Sequence, residues 1–182
     1  MSLPDRAATL LVRLVCAGLA TLALTGCFQP MYATSNTQAG PGLENQLRDI
    51  EIVKIEGRLG NELRNTLIFD LTGGTGNPAG APYQLFIVVK STSTYAIADT
   101  ASGLPEAKIV RVEGNWRLMR ANETDKPPVA VGQAAASASI DVSVARFANY
   151  SAMREAEQRA SVTLAEMIKT QLIAHFVRQK GS

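Results

Sequence analysis

The sequence predicts an α+β fold, a two-layer sandwich in which two α-helices pack on one face of a four-stranded, mostly antiparallel sheet, in the order β-α-β-β-β-α. Three observations predict it. Leu59, Leu63, Leu67 and Leu71 recur every four residues, and Met153, Ala156, Ala160, Leu164, Met167, Ile168, Leu172 and Phe176 form a second, longer helical stripe. Between the two lie alternating stretches, the clearest setting Val110, Val112, Trp116 and Leu118 on one side of a strand and Arg111, Glu113, Asn115 and Arg117 on the other. The composition, 46% apolar and 19% charged over 182 residues, suits one packed domain.

The N-terminus stands outside that domain. Arg6 and Arg13 precede an apolar run over residues 14–24, too short to span a bilayer, which ends in Leu24-Thr25-Gly26-Cys27. Residues 1–26 therefore read as a signal peptide. Small residues at 25 and 26 suit a signal peptidase pocket, and the Cys27 thiol that follows is placed to carry a diacylglycerol thioether, so the tetrad resembles the lipobox of bacterial lipoproteins. Cys16 leaves with the signal, and the acylated chain then has neither a free thiol nor an intramolecular disulfide. Residues 27–47 read as a lipidated N-terminus and flexible tether, rich in Ser, Asn, Thr and Gln and containing Gly40-Pro41-Gly42. Within it, Phe28-Gln29-Pro30-Met31-Tyr32 is apolar and aromatic, suited either to lipid headgroups or to docking on a protein surface.

The folded body is expected over residues 48–179. Ile50, Ile52, Val53 and Ile55 indicate a first strand over 50–56. The leucine-striped helix that follows ends at Gly73-Gly74-Thr75-Gly76-Asn77-Pro78, which is no phosphate loop, because no Lys-Ser or Lys-Thr follows and a strand comes next. From Tyr83 to Ile97, Tyr83, Leu85, Ile87 and Val89 face one way, and Gln84, Lys90, Thr92 and Thr94 largely the other. A loop with Asp99, Gly103 and Pro105 leads to the alternating strand, and a polar turn over 122–128 to a segment over 129–145. There Ala134, Ala135, Ala136 and Ala138 favour helix, yet Ile140, Val142 and Val144 alternate, so it is read as a strand whose small side chains permit close approach of another surface. Ser151 is the expected cap of the final helix, with Arg154 where a capping box would carry Glu.

Function classes narrow accordingly. Eighteen Lys and Arg against 16 Asp and Glu give a formal net charge of only +2, without the basic footprint of a nucleic-acid binder. One His and two Cys provide little for metal sites or acid/base chemistry, and there is no G-x-S-x-G elbow. No catalytic residue, metal or cofactor is expected, and the chain is not read as an enzyme: His175 is taken as a surface or packing residue, and Asp99, Glu106 and Asp141 as solvated carboxylates.

A lipobox followed at once by Phe28-Gln29-Pro30-Met31-Tyr32, a β-α-β-β-β-α body, Leu63-Arg64-Asn65 in the first helix and Phe147-Ala148-Asn149-Tyr150 ahead of an Ala- and Arg-rich final helix together resemble the LPS-assembly lipoprotein family LptE in its α-proteobacterial form. The resemblance spans essentially the whole chain after the signal. It implies a lipoprotein of the outer membrane, lipid-anchored on the periplasmic side, that binds the β-barrel translocon LptD, partly plugs its lumen, helps it assemble and contacts lipopolysaccharide. Phe28 after the acylated Cys, where Asp would favour inner-membrane retention, agrees with that sorting. Another envelope accessory lipoprotein, such as an auxiliary subunit of a lipid-transport ABC system or an outer-membrane assembly scaffold, would share the anchor and the size. For lipopolysaccharide, Arg111 and Arg117, with Lys90 and Lys108 on or beside neighbouring strand segments, are the candidate contacts, since guanidinium groups offer forked, charge-assisted hydrogen bonds to phosphate. Glu113 between the two Arg also allows a plain solvated face with ion pairs.

Overall fold

The computed structural model describes residues 41–98, 105–123, 125–143 and 145–180. The elements are α1 (Pro41–Arg48), β1 (Ile50–Ile52), α2 (Gly57–Thr72), β2 (Tyr83–Ala98), β3 (Pro105–Arg120), β4 (Ala130–Asp141) and α3 (Arg146–Lys180). The α+β class and the four-stranded sheet stand, with two differences: the described residues hold three helices, and the sheet is mixed. Its order is β1-β2-β3-β4. β1 runs parallel to β2, as a strand-helix-strand crossover through α2 requires, whereas β2–β3 and β3–β4 are antiparallel.

The unexpected helix is α1, in the last residues of the segment read as tether. Gly40-Pro41-Gly42 reads as a linker in isolation, but Pro41 opens the helix, where its missing N–H would have had no partner in any case. Leu43 and Leu47, four apart, are both buried in the main core, and Glu44 and Arg48 pair at 2.8 Å on the exposed side. Among the described residues, the packing thus takes in α1 from its first turn.

β1 is shorter than the expected span of 50–56: its ladder with β2 ends where Val53 N–H donates to Leu85 C=O at 3.1 Å, and on its outer margin side chains supply the backbone partners. Ile52 N–H donates to Asn77 Oδ1 at 2.9 Å, and Ile52 C=O accepts from Asn77 Nδ2 at 3.2 Å and from Arg64 Nε at 3.1 Å. One side-chain amide so replaces a neighbouring strand. α2 buries Leu63, Leu67 and Leu71 and stops at Gly73, whose φ of 67° lets its N–H close on Phe69 C=O at 2.8 Å.

β4 settles the competition between alanine propensity and alternation in favour of the strand. Its even-numbered side chains, Ala134, Ala136 and Ile140 among them, face α3 and are buried. The surface that approaches these small residues is α3 itself. Gln171 and Arg159 donate to the C=O groups of Gln133 and Ser139, so the helix runs antiparallel to the strand at close range. A Cβ on Gly114 would come within 3.2 Å of Leu164, and one on Gly132 within 2.5 Å of the Trp116 ring.

α3 starts at Arg146, ahead of the expected cap at Ser151. The turn before it is closed by Asn149, which accepts from Ser143 N–H at 2.7 Å and donates to Ser143 C=O at 2.5 Å. Ala156, Ala160, Leu164, Ile168, Leu172 and Phe176 are at most 1% exposed and form the buried stripe, while Met167, placed on that stripe by spacing, lies at its rim with 39% exposure. α2 and α3 are linked by Arg58, which pairs with Glu62 at 2.6 Å within α2 and with Glu157 across the interface.

Candidate functional site: the open face of the sheet

With the helices on one side, the other side of the sheet is left uncovered among the described residues, and three of the four candidate cations lie on it. The register brings Lys90 opposite Glu113, Thr92 opposite Arg111 and Phe86 opposite Arg117. Arg111 and Arg117 project from β3 on the same side because they are six residues apart in a strand of period two. The fourth, Lys108, belongs to the opposite face. It is paired with Tyr95 and Ile140, and its Nζ sits 4.6 Å from the centre of the Tyr95 ring. Spacing along β3 separates it from Arg111 by an odd number, a signal the sequence did contain.

The three cations that share the face are not equivalent. Arg111 Nε donates to Glu113 Oε1 at 2.6 Å, with both side chains about half exposed at 54% and 46%. A pair exposed in this way contributes at most about 1 kcal/mol and exchanges readily for another anion. Arg117 instead stacks on Phe86, with its guanidinium carbon 5.1 Å from the ring centre. Lys90 is exposed. Glu113 therefore offsets part of the positive charge.

The face also carries apolar groups that alternation alone does not announce. Val88 and Val131 are 72% and 68% exposed. A cavity of about 300 Å³ is lined by Phe86, Val88, Asn115, Arg117 and Lys54 among others. The signal for it was the uninterrupted run Phe86-Ile87-Val88-Val89, which puts apolar side chains on both faces of β2. Cationic groups beside an apolar recess suit an amphiphile with an anionic head.

Other sequence candidates are not gathered into a site. Glu106 and Asp141 are exposed, and Asp99 and Cys27 lie outside the described residues. His175 is half-buried at the edge of α3, its ring edge-on to Phe176 with centres 5.5 Å apart, and burial first, then Arg178, holds its pKa below the ordinary imidazole value. Among the described residues no three His, Cys, Asp or Glu cluster as metal ligands, and no helix is long and apolar enough to cross a membrane.

No protein-family model matches the chain, and a search of curated proteins returns no relative. Solved structures do match. A protein from Caulobacter crescentus assigned to the lipoproteins is 26% identical, with a TM-score of 0.59, over 78% of this chain and 98% of its own. Rare lipoprotein B from Shewanella oneidensis matches with a TM-score of 0.53 at 8% identity, over 72% of this chain and 98% of its own. A minor lipoprotein from Acinetobacter baumannii matches with a TM-score of 0.52 at 12% identity, over 70% of this chain and 92% of its own. The chain therefore has a fold that it shares with bacterial lipoproteins.

Proposed function

We propose that this chain is an outer-membrane lipoprotein of the LptE kind, anchored through Cys27 on the periplasmic side. In this reading it engages the LptD barrel, assists its assembly and contacts lipopolysaccharide on the way to the cell surface. The observation that carries the reading is the conjunction of a lipobox tetrad ending at Cys27 with a body that matches almost the entire Caulobacter lipoprotein. The fold likeness to rare lipoprotein B and the resemblance carried by Phe28-Gln29-Pro30-Met31-Tyr32 support it further. For lipopolysaccharide, Arg111, Arg117 and Lys90 supply the cations on the open face and the recess at Phe86 and Val88 the apolar neighbour, while Lys108 drops out of that group.

Affinity purification of the tagged chain from detergent-solubilised envelopes tests this. A β-barrel translocon recovered in stoichiometric amount is the expected result. Recovery of an inner-membrane ATPase in its place would overturn the reading and identify an auxiliary subunit of a lipid-transport system. Photo-crosslinkers at Asn115 and Ser137 on the open face, and at Ser93 on the helix side beyond the helices, should trap the barrel if it encloses the domain.

A further inference from the structure

The helix layer leaves part of its own side of the sheet bare. Along that side of β2, Leu85 and Ile87 are buried, Val89 and Ser91 half-buried, Ser93 exposed and Tyr95 63% exposed. The residue types change with the exposure, from aliphatic to Ser-x-Ser-x-Tyr, so the far half of β2 is built to face something polar. The helices explain the step. Arg58, in the first turn of α2, pairs with Glu157 of α3, while Phe176 near the other end of α3 meets the ring of Tyr83 at the start of β2. The end of α2 lies there too: Arg48 Nη2 would stand 3.9 Å from a Cβ on Gly73, and Asp49 C=O accepts from Tyr83 N–H at 3.3 Å. The two helices are therefore parallel, and α3 extends about three turns beyond the start of α2. That overhang packs through Ala152 and Met153 on Val110 of β3 and Ile140 of β4, which leaves this half of β2 uncovered among the described residues.

A shelf results, with Ser91, Ser93 and Tyr95 as its floor and the flank of α3 as its wall. Tyr150, Arg154 and Glu157, spaced by four and three, share the flank that meets α2 further along. Two cations border the shelf in the same manner. Lys108 Nζ, opposite Tyr95 in the register, sits 4.6 Å from the centre of its ring, and the Arg154 guanidinium carbon 5.5 Å from the centre of the Tyr150 ring. Neither cation has a carboxylate partner among the described residues, and both rings are at least 60% exposed. α2 and α3 both begin at this end without an acidic residue in the first turn, so the positive ends of their dipoles add to the charge. Of the carboxylates nearby, Glu157 is engaged by Arg58, Asp141 lies on the open face, and Glu106 stands two residues before Lys108.

We propose that the shelf receives an acidic segment of a partner protein, laid in line with α2 where the helix layer stops. Asp or Glu carboxylates of that segment meet Lys108 and Arg154, its backbone meets the hydroxyls of Ser91 and Ser93, and its apolar side chains meet Tyr95 and Tyr150. Charge complementarity selects it: a cation held over a ring keeps its N–H groups for a carboxylate, and these two have none of their own among the described residues. The Ser floor selects against an amphiphile, because it offers acyl chains no apolar recess of the kind beside Phe86 and Val88 on the open face. Clustered phosphates are also disfavoured, since Glu106 and Glu157 repel a dianion about twice as strongly as a single carboxylate. The shelf is thus distinct from the lipopolysaccharide contacts proposed above. Which protein supplies the segment rests on the proposed function, in which it is the barrel; the chemistry of the contact does not.

The test places photo-crosslinkers one at a time at Ser93 and Tyr150 of the full chain in living cells, and at Asn115 on the open face for comparison. The partner peptide joined to each is identified by mass spectrometry. A polypeptide segment carrying Asp or Glu is expected at both shelf positions. Lys108→Glu with Arg154→Glu should lower the shelf cross-link about tenfold and leave that from Asn115 unchanged, and Lys in place of the acidic residues of the trapped segment should restore it. Should the double variant lose its fold, Lys108→Gln with Arg154→Gln serves instead, with a smaller loss. An acidic segment from another protein, with no barrel trapped from Asn115, would support the shelf and overturn the barrel reading. Capture of the barrel from Asn115 alone would keep that reading and overturn the shelf. A neutral or basic segment, lipopolysaccharide, or no product from a folded chain at the shelf positions would likewise overturn the proposal.

Discussion

Trp116 shows how one side chain fixes its surroundings. Its ring lies against the backbone of Gly132 so closely that a Cβ there would stand 2.5 Å from a ring carbon, and its Nε1 donates to Gln171 Oε1 at 2.8 Å. Gly132→Ala must displace a ring held from both sides, so a loss of about 1–3 kcal/mol is expected, read by urea denaturation through the fluorescence of this single Trp. His175 makes a second prediction. Its folded-state pKa lies below the ordinary value of about 6.5, so the unfolded chain binds the proton more readily. Stability should be full above that value and fall as the pH is lowered through it toward the folded-state pKa. His175→Gln should flatten that part of a melting-temperature profile, and an identical profile in the variant would assign the effect to other groups. On the open face, Arg111→Ala combined with Arg117→Ala should weaken lipopolysaccharide binding in a titration and make it less sensitive to salt. The melt should stay within about 0.5 kcal/mol of the parent, as for most exposed substitutions. Unchanged affinity would leave the face to a protein partner alone.

At the scale of elements, periodicity located both long helices and all four strands, because each has one face in the core and so writes its period into the sequence. It failed where a partner outside the local pattern decides the outcome. α1 has only two core contacts, Leu43 and Leu47, and is too short to display a period of its own. β1 has its outer margin closed not by a strand but by Asn77, distant in sequence, which occupies the outward backbone groups of Ile52. α3 begins early because Asn149 and Ser143 close the preceding turn in a way no capping-box pattern encodes. The contribution of α1 is measurable: a chain starting at 49 should melt below one starting at 41, since two buried leucines leave the core with it. Equal melting temperatures would mean that α1 rests on the body without stabilising it.

The whole molecule combines a packed helix layer with a sheet face that no described element covers. The cations on that face were legible in the sequence, since alternation in β3 put Arg111 and Arg117 together, whereas the recess beside them was written only in the run Phe86-Ile87-Val88-Val89, whose second apolar face shows as a recess once the layer order is known. The proposed anchor at Cys27 rests on the sequence alone. Cys27→Ser is expected to leave an uncleaved or soluble precursor, and mass spectrometry of the membrane-extracted parent should find a diacylglyceryl group on an N-terminal Cys27. A mature, unmodified chain recovered from the soluble periplasm would reject lipid anchoring while leaving the fold as described.

The amide of Asn77 that closes the margin at β1 also bears on how the protein ages. Asparagine is lost to aspartate when the following backbone nitrogen, freed of its hydrogen, attacks the side-chain carbonyl. Here the following residue is Pro78, whose nitrogen carries no hydrogen to give up. The donor that Asn77 offers to Ile52 C=O is therefore shielded from the commonest spontaneous route of asparagine damage, and an acidic oxygen never comes to face that carbonyl. The sheet's shortest strand thereby keeps the closure of its outer margin against that damage.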